Sequence, residues 1–206
     1  MVVYKLHYFE GAAGRAELTR FLFIHAGIEF EDVGVPFADW PKLKATYPNG
    51  QLPVLEEDGK LLSQSVAIAR HVARISNMLG ESEWDKSQAD AFVETASDII
   101  NEMKNQGFSL KIREGKGAEV ANAVAAALKP YLERLEKHLS STNGKNLVGD
   151  QLTWADFAIA DAIGRYCLTA TAALDSFPGV KKFIEHVYGL PKIKERVETR
   201  VLKYNI

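Results

Sequence analysis

One segment constrains this chain more than any other: Gln51-Leu52-Pro53-Val54-Leu55-Glu56-Glu57-Asp58-Gly59-Lys60-Leu61-Leu62-Ser63-Gln64-Ser65. It predicts a strand entered through a proline, a tight Asp58-Gly59 hairpin and a second strand, followed by a helix over Val66 to Arg74. These pieces outline a binding site. Backbone held extended before Pro53 can pair with a peptide ligand, and the free amides at the helix start after Gln64-Ser65 can hold a carboxylate.

Around this segment the first 78 or so residues alternate strand and helix signals. Val2 to Tyr8 alternates like a strand, and Leu18, Phe21, Leu22 and His25 share one helical face that Gly27 closes. Phe30 to Val35 reads as a second strand, and Trp40 to Thr46 as a brief helix or turn. After the hairpin, Ile68, Val72 and Ile75 mark one face of a third helix, with Val66, Ala69 and Ala73 beside them. The order β-α-β, then β-β-α, is the thioredoxin-like arrangement, whose first half needs a right-handed crossover.

From Ser82-Glu83-Trp84-Asp85, a capping box, the chain reads as helical to its end. Phe92, Thr95, Ile99 and Met103 recur at three and four, and Val120, Val124, Leu128, Tyr131, Leu135 and Leu139 do so over a longer helix that Pro130 kinks or costs one backbone hydrogen bond. Residues 140–152 read as a surface loop, and Thr153-Trp154-Ala155-Asp156 as a second capping box, with Leu152 and Phe157 as its hydrophobic staple. Pro178 and Pro191 each mark the start of a further helix. The expected organisation is an α/β thioredoxin-like domain over 1–78, a linker over 79–84 and an all-α helical bundle domain over 85–206.

Composition sets the outer bounds. Across 206 residues, 47% are hydrophobic and 25% charged, and the formal net charge of −2 gives no electrostatic reason to expect nucleic acid. Lys5 and His7 interrupt the first apolar stretch, so it lacks a signal-peptide core, and no apolar run is long enough to span a bilayer. A cytoplasmic protein is expected. The single cysteine, Cys167, suits a reducing compartment and rules out an intramolecular disulfide. The five histidines show no ligand spacing, and no metal site is assigned.

A cysteine-free thioredoxin-like half followed by an all-helical half, with Tyr8 closing the first strand, resembles the cytosolic glutathione transferases over essentially the whole chain. The segments that carry the resemblance are Tyr4-Lys5-Leu6-His7-Tyr8-Phe9, Gly50-Gln51-Leu52-Pro53-Val54-Leu55, Gln64-Ser65-Val66-Ala67-Ile68-Ala69-Arg70, and Leu147-Val148-Gly149-Asp150 running into Thr153-Trp154-Ala155-Asp156. Within the family the chain is most similar to the sigma class, which includes the haematopoietic prostaglandin D synthases, and more narrowly to the nematode (nu-type) enzymes.

The resemblance implies a role for each matching residue. Tyr8 donates its hydroxyl to the glutathione sulfur and favours the thiolate, whose free thiol, with a pKa near ~8.5, is mostly protonated at neutral pH. Arg15 adds a second stabilising charge, although Tyr8 to Glu17 runs one residue longer than the family's usual loop; as an ordinary helix-start arginine it would instead pair with Glu17 or another acid. Leu52, before a cis Pro53 and flanked by Gly50 and Gln51, presents its backbone to the cysteinyl part of glutathione. Gln64 and Ser65 hold the γ-glutamyl carboxylate at the positive end of the third helix; read without the family, Ser65 is simply an N-cap. Trp40 and Lys44 reach the glycyl carboxylate, and Asp98 reaches across a homodimer to the γ-glutamyl ammonium. Asp156 is expected to be structural and Cys167 an inert core thiol.

The function implied is conjugation of the glutathione thiolate to small hydrophobic electrophiles, a detoxification reaction in which glutathione is co-substrate and no cofactor is tightly bound. The electrophile pocket is expected among the Phe9 to Gly14 loop, helix four around Met103 to Phe108, and the tail near Leu202. Two alternatives stay open: a non-catalytic carrier of haem or other planar hydrophobic ligands, and a glutathione-dependent prostaglandin isomerase, which Lys104-Asn105-Gln106-Gly107 disfavours. A thiol-disulfide oxidoreductase is excluded, because the first half carries no cysteine nucleophile.

Overall fold

The computed structural model describes residues 2–142 and 144–203, with backbone alone for 201–203. The hairpin signal is met at its turn. Asp58 and Gly59 both adopt positive φ (+47° and +81°), the left-handed pair that a two-residue hairpin loop requires between β3 (Val54–Glu57) and β4 (Lys60–Ser63). β1 (Tyr4–Phe9) pairs antiparallel with β3 and parallel with β2 (Glu31–Val35), giving a sheet ordered β2-β1-β3-β4. The parallel pair is joined through α1 (Glu17–Ala26), which ends on Gly27 at φ +68°. After a short α2 (Trp40–Leu43) and two 3-10 turns, β3 and β4 lead into α3 (Ser65–Ile75). This is the thioredoxin-like fold.

The register matters for function. His7 pairs with Val54, and Val54 with Ser63, so the end of β1, the entry to β3 and the exit of β4 meet at one end of the sheet. Tyr8, Pro53 and Gln64 all follow or precede those positions by one residue.

The rest is helical: α4 (Glu83–Asn105), α5 (Phe108–Arg113), α6 (Gly117–Ser141), α7 (Trp154–Cys167), α8 (Pro178–Tyr188) and α9 (Pro191–Lys203). Both expected capping boxes form, Ser82 with Asp85 and Thr153 with Asp156. Pro178 and Pro191 open α8 and α9, where a missing N–H costs nothing. α6 runs through Pro130 as one helix. α7 is the axis of the core: Trp154, Phe157, Ile159 and Ile163 are buried, and the Trp154 backbone N–H donates to the Met78 carbonyl at 2.9 Å, pinning the helix to the segment after α3.

Several expectations shift. Val2 and Val3 are exposed and lie outside β1. Ile75 and His25 turn to solvent at the ends of their helices. On α4 the buried stripe is Ala89, Val93, Ala96, Ile99 and Met103, one residue round from Phe92 and Thr95, because the small alanines allow close approach to α7. Helix four stops at Asn105, and Gly107 at φ +75° turns the chain into α5. The 140–152 stretch is not all surface: α6 extends to Ser141, and Leu147 and Val148 enter the core.

Candidate functional site

The chain carries its candidate chemistry at the sheet end where β1 stops. Tyr8 is half-buried there, and the backbone N–H of Arg15 donates to its hydroxyl oxygen at 3.1 Å. With one lone pair so occupied, the hydroxyl proton remains available to a second partner. The turn that delivers this amide is a single 3-10 turn, Gly14–Ala16, packed directly on the Tyr8 ring. Gly14 is required at this approach: a Cβ would lie within 2.8 Å of ring atoms Cε1 and Cζ, and φ is +45°.

Arg15 therefore precedes α1 instead of lying inside it. Its guanidinium does not meet Glu17; it crosses to α4 and donates to the exposed Asn101 side-chain oxygen at 2.5 Å. Beside it opens a narrow cleft between the two halves, lined by Gly14, Arg15, Ser65, Val66, Ile100 and Arg165 among others.

The start of α3 faces the same region. Gln64, not Ser65, is the N-cap, with φ +76° and ψ 112° and no side-chain capping bond; Ser65 is the first helical residue. The leading amides of an 11-residue helix are thus left without a side-chain acceptor beside a strained residue, the arrangement that suits an anion. The Leu52–Pro53 bond is cis, as expected. Gln51 and Leu52 lead into it from the 3-10 turn Pro48–Gly50, and the Asn49 side chain donates to Ser63 Oγ at 3.2 Å across to β4.

Trp40 opens α2 and Lys44 the 3-10 turn that follows it, beyond β2. Trp40 packs edge-on to Phe9 at 5.2 Å, and Phe9 stacks on Phe37 at 4.4 Å, so an aromatic cluster ties this segment to the sheet. The Lys44 stem lies against Gly50, where a Cβ would come within 3.2 Å of it. Asp98 is exposed on α4, next to cleft-lining Ser97 but outside the lining itself. Of the expected electrophile pocket, Met103 and Phe108 are buried in the helical core, and the cleft instead meets α4 at Val93, Ala96, Ser97 and Ile100. The Leu202 side chain lies outside the described residues.

Sequence reasoning missed a buried charge network behind this site. Glu17, Arg20, Asp161 and Arg200 are each at most 4% exposed. Arg20 donates to the carbonyls of Ala12 (2.9 Å) and Ala13 (3.2 Å), to Glu17 (3.1 Å) and to Asp32. Arg196 and Arg200 of α9 reach Glu17 and Asp161, and Arg165 of α7 pairs with Asp161 and donates to the Gly14 carbonyl at 3.0 Å. Burial opposes the charge on Glu17, yet its hydrogen bond with Arg196 and the charges of Arg196, Arg200 and Arg20 hold its carboxyl below the usual range. The available signal was the helical spacing of Glu17 to Arg20 and of Asp161 to Arg165, inside otherwise apolar runs.

Comparison with known proteins agrees with this geometry. Residues 4–74 match the family model of the glutathione S-transferase N-terminal domain, and residues 98–200 that of the C-terminal domain. Glutathione S-transferase 3 of Caenorhabditis elegans is 37% identical, covering 97% of this chain and all of its own. Hematopoietic prostaglandin D synthase of Gallus gallus is 36% identical over 96% of each chain. Among solved structures, monomeric Na-GST-3 of the hookworm Necator americanus superposes with TM-score 0.87 at 35% identity over 96% of this chain and 97% of its own. A Nu-class enzyme from Haemonchus contortus gives 0.82 at 35% over 97% and 98%. Both halves match, in order and nearly end to end, and the chain belongs to the glutathione S-transferase family.

Proposed function

We propose that this transferase adds the glutathione thiolate to small hydrophobic electrophiles, with Tyr8 as the catalytic hydroxyl. The observation that carries the reading is the Tyr8 hydroxyl, which accepts the Arg15 amide at 3.1 Å and keeps its own proton for a sulfur at the sheet end. A hydrogen bond that favours the thiolate lowers its pKa, each unit amounting to about 1.4 kcal/mol. Tyr8 then stabilises a charge and is not a base.

Glutathione is placed around it by the remaining residues. Its γ-glutamyl carboxylate sits on the uncapped start of α3 at Gln64 and Ser65, its cysteinyl backbone pairs with Leu52, flanked by Gly50, Gln51 and Pro53, and its glycyl carboxylate reaches Trp40 and Lys44. Arg15, beside the cleft, adds positive charge. Asp98, exposed on α4, serves the neighbouring site of a homodimer. Residues 1–78, with the sheet and α3, form the glutathione-binding domain, 79–84 the linker and 85–206 the helical domain; the break between α3 ending at Ile75 and α4 supports that division, with α4 already starting at Glu83, inside the linker's last two residues. No helix among the described residues is long and apolar enough to cross a membrane, and the proposed setting is cytoplasmic detoxification.

The test is the rate of glutathione conjugation to a generic aryl halide, wild type beside Tyr8→Phe, with glutathione binding measured for both. The expected result is a mutant that binds glutathione and loses roughly ten- to a hundredfold in rate, the worth of one hydrogen bond to a charged group. Equal rates would remove Tyr8 from catalysis. Binding without turnover of any electrophile by wild type would move the reading to a carrier, with haem titrated next. Similarity to prostaglandin D synthases supports a second reading, isomerisation of a prostaglandin endoperoxide, assayed on the same proteins.

A further inference from the structure

We propose that Arg165 is a positioning residue for the thiolate-stabilising hydroxyl and acts through the Gly14–Arg15 peptide. This rests on the reading of Tyr8 above. One peptide unit makes both bonds: its carbonyl, on Gly14, accepts from Arg165 Nη2 at 3.0 Å, and its N–H, on Arg15, donates to Tyr8 Oη at 3.1 Å. A guanidinium on a carbonyl draws electron density from the amide and makes its N–H a stronger donor. The phenolic oxygen that accepts that N–H becomes a stronger O–H donor in turn, so the charge of Arg165 is felt at the sulfur without contact.

The surroundings favour such a chain. The Arg165 side chain is only 10% exposed, so water screens its charge little. Asp161 pairs with it and, at 2.5 Å, with Arg200, which leaves the guanidinium fixed in direction. The two preceding carbonyls, Ala12 and Ala13, are held by Arg20, itself paired with Glu17 and Asp32, so the turn has little freedom to relax when one bond is lost. Two guanidiniums, one from each half of the molecule, therefore hold three consecutive carbonyls behind the hydroxyl. The Arg15 guanidinium takes no part in this chain, being turned to Asn101.

The experiment titrates the thiol of bound glutathione by its ultraviolet thiolate absorbance in wild type, Tyr8→Phe, Arg165→Gln and the double variant, with folding checked by thermal melting. Arg165→Gln leaves Asp161 with Arg200 and is expected to fold. It should raise the bound thiol pKa by about half a unit, a roughly threefold smaller thiolate fraction, and lower kcat at unchanged KM for glutathione. In the Tyr8→Phe background it should add nothing. If Arg165→Gln melts below the assay temperature, Arg165→Lys carries the test: the single-headed ammonium should give a smaller rise of the same sign, again absent without the Tyr8 hydroxyl. An unchanged thiol pKa in the Arg165 variant while Tyr8→Phe raises it, or an equal increment in both backgrounds, overturns the proposal. An unchanged pKa in Tyr8→Phe itself overturns the reading beneath it.

Discussion

Glu17 and Arg196, 179 positions apart, meet through two hydrogen bonds of 2.9 and 2.8 Å, joining the start of α1 to the last helix. The carboxylate is fully buried and also faces Arg20 and Arg200. Glu17→Gln keeps the shape and removes the charge, leaving three guanidiniums short of a counter-ion; breaking a buried ion pair in this way costs about 3–5 kcal/mol. The arginines hold the folded-state pKa of Glu17 below its ordinary 4.5. Its contribution is therefore complete above pH 4.5 and is lost as pH falls through the lower folded value. Thermal melts of wild type and Glu17→Gln should differ widely at neutral pH and converge in acid.

Asp156 shows the opposite sign. Its buried carboxylate accepts from the backbone of Leu147 (2.8 Å) and Thr153 (2.7 Å), closing the α7 cap and tying the preceding loop to it. Burial outweighs these bonds and pushes its carboxyl above the ordinary 3.8. Asp156→Ala strands two buried N–H groups and should cost about 2–4 kcal/mol. Because the folded pKa is raised, the ionisation contribution is full below pH 3.8 and fades as pH rises through the folded value. The measured gap between variant and wild type should narrow in that window; a gap that widens there would refute the raised value.

The fold was legible where local chemistry decides it. Asp58-Gly59, the Ser82 and Thr153 boxes and the prolines opening α8 and α9 each act within four residues, and each formed as expected. What was not legible depends on contacts between distant segments. Leu147 looked like loop because its backbone partner, Asp156, satisfies it only once α7 has formed. Arg15 looked like a helix residue because the turn before α1 is set by Arg20 and Arg165 gripping its carbonyls. Arg200, buried on α9, carries no sequence mark that separates it from an exposed arginine, since only Asp161, 39 positions away, and Glu17 make its burial tolerable.

Cys167 offers a check on burial at the end of α7. The residue is 7% exposed, and burial pushes its thiol pKa up to about 12. At pH 8 only about one thiol in ten thousand would be ionised, and the thiolate is the nucleophile. Iodoacetamide should therefore leave the native protein unlabelled over hours and label it within minutes in guanidinium. Rapid native labelling would mean that the end of α7 opens.

Gly14 joins the Tyr8 hydroxyl to its support more directly than any other position, since it both yields its carbonyl to Arg165 and leaves room for the Tyr8 ring. In Gly14→Ala the new methyl would stand where the hydroxyl is, within 2.8 Å of the adjoining ring carbons, and φ of +45° disfavours a side chain by about 1–2 kcal/mol. The ring must swing away and the Arg15 amide must lose its acceptor. The variant is expected to fold, to melt a few degrees lower and to bind glutathione, because the residues proposed to hold it, Gln64, Ser65, Trp40 and Lys44, lie on other elements. Its conjugation rate should fall to about that of Tyr8→Phe, roughly ten- to a hundredfold below wild type, and combining the two substitutions should add little. Wild-type turnover by Gly14→Ala would show that neither the placement of the hydroxyl nor its bond to the Arg15 amide is needed for the reaction.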